Sequence, residues 1–385
     1  MKTWFFSECP YPDLPDPESY DSIRVSLPNS LYDPRRGAEL YDVYLDLWQA
    51  ADELGLNIMT NEHHQTATCL VPAVPLLASI LARTTQNARI LILGNPIANR
   101  RDPLRVAEEM ALIDNLSKGR LEVGFVRGVP FEVLPANSRP TGMHDRMWEA
   151  HDLILKAWET HDGPFSWEGN WHYRHVNIWP RPYQQPRPPV WVTGTSLTSV
   201  PEIARHGHTM AAFVTGPTVA RGLFDEYRRV YAESHGGATA PDDRLGYGVQ
   251  VFVADTEAAA REGALKLRWY FDANKVPPHL ANPPGYSPPK RAAAAGSAAA
   301  PVPQARQAKG QSFEWMTENG VLFAGTPDQV VEQIASFHAA VGGFGHVLMM
   351  GHAGPMEYAE TVRSLELYAT EVQPRLHELG VAVAQ

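Results

Sequence analysis

Apolar residues fall into two repeating patterns along this chain. Unbroken apolar runs at 57–60, 88–93 and 121–126 read as strands covered on both faces. Between them, 75–84 and 103–116 carry apolar residues at helical spacing, so the stretch reads β-α-β-α-β. Each run ends in a polar cluster: Asn61-Glu62-His63-His64-Gln65, Gly94-Asn95-Pro96 and Arg127-Gly128. Polar clusters at successive parallel-strand ends point to one shared mouth, where α/β enzymes place their chemistry.

The same alternation continues on both sides. A strand at 3–6 runs into Ser7-Glu8-Cys9-Pro10, an irregular Pro-, Asp- and Tyr-rich stretch follows, and a helix over 38–54 stops at Gly55. Beyond Arg127 come a helix over 143–160, a hairpin-like excursion over 161–178 with Gly163-Pro164 and Gly169-Asn170 as turns, and an extended Pro-rich segment. Strands at 190–193, 208–213, 247–254 and 346–350 then alternate with helices over 198–205, 219–232, 256–270, 327–341 and 355–372. Eight strands in this order predict a single-domain α/β fold over 1–385, a (β/α)8 TIM barrel with insertions; a doubly wound sheet is the alternative. A Pro/Ala-rich segment after the seventh strand, 276–312, breaks the pattern. It reads as a mobile or disordered insertion, either a surface excursion or a lid loop over the mouth, and Phe313 and Trp315 at its far end favour the lid.

Composition narrows the class. At 385 residues, 44% hydrophobic and 20% charged, the chain can bury a large core. A net charge of −10 argues against nucleic acid or an anionic membrane as main partner. Two cysteines, Cys9 and Cys69, make no disulfide framework, and no apolar run suits a membrane helix, so a cytoplasmic protein is expected.

The strand-end clusters carry the candidate chemistry. One of His63 and His64 facing the mouth would serve as an acid or base, or as a structural hydrogen-bond partner. Metal spacing is weak: His206-Gly207-His208 is the one HxH, it precedes the sixth strand at the end away from the chemistry, and no metal is expected. Gly94 and Asn95 mark a turn or a close backbone approach to a ligand. Thr195, Ser196 and Ser199 at a helix start offer hydroxyls and free N–H groups to an anion, or cap the helix alone. Such a dipole contributes only about 0.3–1 kcal/mol, so a phosphate also needs arginine, and Arg127 and Arg146 are the candidates. Phe6, Glu8, His64, Trp191 and Phe213, at or near strand ends, are candidates for a substrate pocket.

Together with Arg100-Arg101-Asp102-Pro103-Leu104-Arg105, Leu116-Ser117-Lys118-Gly119-Arg120-Leu121, Gly163-Pro164-Phe165, Trp179-Pro180-Arg181-Pro182 and Gly325-Thr326-Pro327, these clusters give the chain a resemblance. It resembles the bacterial luciferase-like family of flavin-dependent monooxygenases, over nearly its whole length. The resemblance implies a TIM barrel that binds FMN non-covalently, as FMNH2 supplied by a separate NAD(P)H:flavin reductase. With O2 as co-substrate, a flavin C4a-hydroperoxide would then oxygenate an organic small molecule. By the same match, His63 falls on the family's catalytic histidine. Gly94 and Asn95 fall behind the flavin ring, often at a non-proline cis peptide, and Arg127, Arg146, Thr195, Ser196 and Ser199 fall on phosphate positions. A homodimer through the helices after strands two and three is implied as well, and the apolar 75–81 patch is compatible with it. Two departures stand out: Asp102-Pro103 replaces a common His-Pro, and Val126 replaces a cysteine of some luciferases, which argues against light emission. Relatives using the deazaflavin F420 for hydride transfer leave an F420-dependent dehydrogenase or reductase as the alternative, with a non-catalytic flavin-binding barrel behind it.

Overall fold

Strands of this chain are apolar on both faces because each is covered twice, by the barrel interior and by a helix. The computed structural model describes residues 1–287 and 304–381. Eight parallel strands close on themselves: β1 (Lys2–Ser7), β2 (Asn57–Thr60), β3 (Ile90–Pro96), β4 (Leu121–Val126), β7 (Val190–Thr193), β8 (Thr209–Phe213), β9 (Leu245–Val253) and β11 (His346–His352). Closure comes from β8 pairing with β9 and β11 with β1. The architecture is a TIM barrel, as the alternation of strand and helix predicts.

The hairpin β5 (Phe165–Glu168) and β6 (His172–Val176) lies outside the ring and is antiparallel. The reading above has no counterpart to β10 (Leu322–Gly325), which pairs with β9 from Gln250 to Val253, beyond the stretch that β8 covers. Of the 276–312 insertion, residues 288–303 lie outside the described residues.

Alternate side chains fill the lumen. Trp4, Leu91, Trp191 and Leu348 pack together there with Phe6, Met59, Leu93 and Met350. Below them Trp4 Nε1 donates to His346 Nδ1 (3.0 Å), while His346 Nε2 lies 2.9 Å from the Asp243 carbonyl, so the ring carries its proton on Nε2. Burial holds this imidazole neutral, its pKa lowered to about 3. Trp191 donates to Glu122 (2.5 Å), which also pairs with Arg89. The lower end of the barrel is therefore plugged by packed, hydrogen-bonded side chains, and a ligand must enter from the opposite end.

Candidate active site

The strand exits assemble a site around His63. Loops leaving β1 and β2 are zipped by backbone bonds, Leu70 N–H to Cys9 O and Tyr11 N–H to Ala67 O, both 2.8 Å. This draws Glu8 towards His63. His63 Nδ1 lies 2.6 Å from Glu132 Oε1, and its Nε2 lies 3.7 Å from Glu8 Oε2. The imidazole is thus held between two buried carboxylates. Glu8 Oε1 accepts from Asn61 Nδ2 (3.1 Å) and Tyr270 OH (3.3 Å), whereas Glu8 Oε2 has no hydrogen-bond partner within the protein.

Charge balance follows from the neighbours. Burial works to raise the Glu132 pKa, but hydrogen bonds from His63 and the His64 N–H, with the Arg24 charge, outweigh it and hold the carboxyl below its usual range. Arg24 is itself buried, donates to Thr68 (3.0 Å) and lies over the Phe131 ring. Burial opposes its charge, yet Tyr270, Glu8 and Glu132 leave its pKa raised. Burial drives the Cys9 and Cys69 thiols well above their usual range, so neither is a thiolate nucleophile at neutral pH.

His64 turns away from His63. It bonds Glu62 (2.7 Å), whose carboxylate also takes two bonds from Arg100 (2.7 and 2.8 Å) and the Val74 N–H at the start of the next helix. The Glu62 hydrogen bond raises the His64 pKa. Glu62 thus anchors the loop rather than facing the mouth.

At the β3 exit, Leu93–Gly94 is a cis peptide. A Cβ on Gly94 would meet Val126 Cγ1 at 2.8 Å and the Gly124 carbonyl oxygen at 3.0 Å, so only glycine lets β3 pass this close to β4. Asn95 beside it is wholly buried, with Nδ2 on the Gly124 carbonyl (3.4 Å) and Oδ1 unpartnered. Arg127 leaves β4 and donates to Tyr286 OH (3.1 Å), its guanidinium 4.3 Å from the ring centroid. Tyr286 also donates to Gly128 O (2.7 Å). The described part of the insertion therefore crosses from β9 to the β4 exit, and Tyr270 packs on the lumen residues beside it.

Thr195, Ser196 and Ser199 follow β7, the neighbour of β4, so they and Arg127 share one side of the mouth. Ser199 Oγ accepts from the Ser196 N–H (3.2 Å) and donates to Ser196 O (2.8 Å). Phe213, at the end of β8, closes over Gly248 and packs against the lumen cluster with Phe6.

Besides His64, expected in the substrate pocket but held on Glu62, two residues are placed otherwise. Arg146 is buried and its guanidinium bonds the carbonyls of Ala98 (3.3 Å), Thr141 (2.6 Å) and Arg139 (2.5 Å), and Ser138 Oγ (3.1 Å). It clamps the loop before its own helix instead of presenting free donors to a phosphate. Trp191 lies inside the barrel against Trp4 and His346, below the mouth and out of a substrate's reach. Glu132, Arg24, Tyr270 and Tyr286 were missed. Glu132 has one signal, a lone carboxylate in the irregular stretch Val129-Pro130-Phe131-Glu132-Val133-Leu134, whereas Tyr270 falls inside a predicted helix and carries none.

Residues 27–342 match the family described as luciferase-like monooxygenase. The chain belongs to that family. Within it, the chain is 32% identical over 174 residues to the oxygenase component of a flavin-dependent trigonelline monooxygenase from Acinetobacter baylyi, covering 43% of this chain and 47% of that protein. The aligned stretch thus spans about half the length of that curated relative. Limonene 1,2-monooxygenase from Rhodococcus erythropolis is 27% identical over 351 residues, 87% of this chain and 82% of that one. Among solved structures, the oxygenating constituent of 3,6-diketocamphane monooxygenase from Pseudomonas putida, a type II Baeyer–Villiger enzyme in complex with FMN, superposes with a TM-score of 0.73 at 22% identity, covering 97% and 98% of the two chains. An F420-dependent secondary alcohol dehydrogenase shares the fold too, with a TM-score of 0.66 at 16% identity and 98% and 99% coverage. No described helix is long and apolar enough to cross a membrane.

The mouth fits a flavin on this structure's own features. Glu8 Oε2 is buried beside His63 without a hydrogen-bond partner, and Arg127 brings a cation to the side of the mouth where the hydroxyls of Thr195, Ser196 and Ser199 follow β7.

Proposed function

We propose that the protein is an FMN-dependent monooxygenase of a small organic molecule, working with a separate NAD(P)H:flavin reductase. The observation that carries this reading is His63, set between Glu132 and Glu8 at the open end of a barrel of this family. Reduced FMN, when bound, would supply the electrons that activate O2. Arg127, Thr195, Ser196 and Ser199 would hold its phosphate, and Gly94 and Asn95 would back its ring.

The chain's own part is positional and protic. His63 Nδ1–H donates to Glu132, which fixes the tautomer and leaves Nε2 to hold or deliver a proton on the Glu8 side. Tyr270, Phe6, Phe213 and Tyr286 exclude water from that volume. His64 belongs to the Glu62 anchor and acts on the substrate pocket through the loop it steadies. A homodimer through the helices Val74–Thr84 and Pro103–Leu116 is supported by Leu76, Ile80, Leu112 and Leu116, which stand exposed on them.

The test pairs purified chain with FMN, NADH and a flavin reductase, and follows O2-dependent oxygenation of a panel of terpenoid ketones and N-methylated heterocycles. His63→Ala should abolish product while FMN binding persists. If F420 instead supports substrate redox and FMN yields only uncoupled O2 consumption, the reading fails.

A further inference from the structure

Away from the mouth, three imidazoles meet on the outer wall of the barrel. His151 comes from the helix Met143–Glu159, and His206 and His208 flank the turn between the helix Val200–Arg205 and β8. One ring nitrogen from each lies within 4.8 Å of the others, and His151 Nε2 is 2.7 Å from His208 Nε2. Around a tetrahedral zinc with Zn–N distances of ~2.0–2.1 Å, ligand nitrogens stand about 3.4 Å apart. One pair stands closer than that and none is farther than 4.8 Å, so small side-chain rotations suffice to close the set on one ion.

Each ring is held in place. Gly207 adopts a left-handed φ of +63°, which folds the chain so that the rings of His206 and His208 stack, 5.2 Å apart and 7° from parallel. Trp148 stacks on His206 from the other side. His151 Nδ1 lies 2.8 Å from Asp152 Oδ1. Its N–H donates there, which turns the Nε2 lone pair towards the other two rings, the carboxylate–histidine relay that orients metal ligands.

We propose that His151, His206 and His208 bind one divalent d-block cation, zinc first, which ties the Met143–Glu159 helix to the entry of β8. Three uncharged imidazoles suit zinc, copper, nickel or cobalt, whereas calcium and magnesium want oxygen donors. His206 is exposed and opens onto a cleft of about 260 Å³ lined also by His144, Asp145, Trp148, Asp152 and Glu202. Its three carboxylates favour a cation's approach and leave a fourth coordination position to water. Arg187 and Arg244 line a second cleft that His206 and His208 also border, and Arg187 is turned towards Glu159 (2.7 Å). The cation's role is structural: it stands by the start of β8, whereas His63 and Arg127 lie beyond strand ends.

The test uses the tag-free full chain, stripped with EDTA and titrated with ZnCl2 by calorimetry and with CoCl2 by visible absorption. One equivalent should bind, Co2+ should show the intense d–d bands of a four-coordinate site, and zinc should raise Tm. His206→Ala, at an exposed ring, should keep the metal-free Tm and weaken binding more than about 100-fold, with Asp152→Asn weakening it about 10–100-fold. Binding that His206→Ala leaves unchanged, or weakens less than tenfold, overturns the proposal. So does the lack of any heat or cobalt spectrum up to millimolar metal.

Discussion

Replacing Glu132 by glutamine isolates the contact that orients His63. The substitution keeps shape and an acceptor oxygen but removes the charge that faces His63 Nδ1 at 2.6 Å and the His64 N–H at 3.2 Å. A hydrogen bond to a charged group contributes about 1.5–3 kcal/mol, against ~1 for a neutral pair. If that difference, about 0.5–2 kcal/mol, is felt when His63 holds its proton during turnover, kcat/KM should fall roughly 2- to 30-fold. FMN affinity should stay within a factor of about two, because no phosphate-side residue is touched. A second readout separates this from general loosening. The folded pKa of Glu132 lies below its usual value, so its stabilising contribution is complete above the ordinary carboxylate range and is lost as pH falls through the folded value. Glu132→Gln should therefore flatten the acid side of the stability–pH curve, measured by urea unfolding at each pH. Unchanged kcat/KM for oxygenation with an altered acid limb would refute the orienting role and leave Glu132 a structural residue. The converse result would refute the electrostatic argument.

Two further outcomes follow from buried groups that take no part in the His63 site. Asp52, buried at the end of the helix Pro34–Glu53, accepts the backbone N–H groups of Gln86 (2.6 Å), Asn87 (2.9 Å) and Ala88 (2.6 Å) ahead of β3. Asp52→Ala should cost about 2–4 kcal/mol in urea unfolding, with Asp52→Asn intermediate because one acceptor oxygen survives. His352, bonded to Thr361 (2.8 Å), is held neutral by burial with its pKa lowered from 6.5 to about 4. The unfolded chain takes up this proton first, so its contribution is complete above pH 6.5 and is lost on acidification to about 4, roughly 3 kcal/mol in all. His352→Gln should remove about one proton from the slope of stability against pH across that window, and an unchanged slope would contradict the assignment.

Strand order and the mouth were legible because parallel strands leave an apolar run that local pattern reveals, and polar residues directly after such runs are conspicuous. His63, Glu8, Gly94 and Arg127 were singled out in that way, each by its place at a strand end. What escaped was every partner that reaches the mouth from a long connection. Glu132 sits 69 residues from His63 and Tyr286 lies 159 from Arg127, and no local period records such pairings. Arg146 shows the reverse failure. A lone arginine near a strand exit suggests an anion, but whether its donors are free depends on carbonyls such as Ala98 O that only the folded loop presents. Trp191 was placed too high because period two tells which face of a strand a residue takes but not its layer within the barrel. His206 and His208 were visible as a pair, and His151, on the neighbouring helix, was not. Spacing along the chain therefore finds groups that one element carries, while sites built from several elements need the fold. The His63 site straddles this line: the strand supplies the imidazole, and the connections supply the carboxylates that give it a direction.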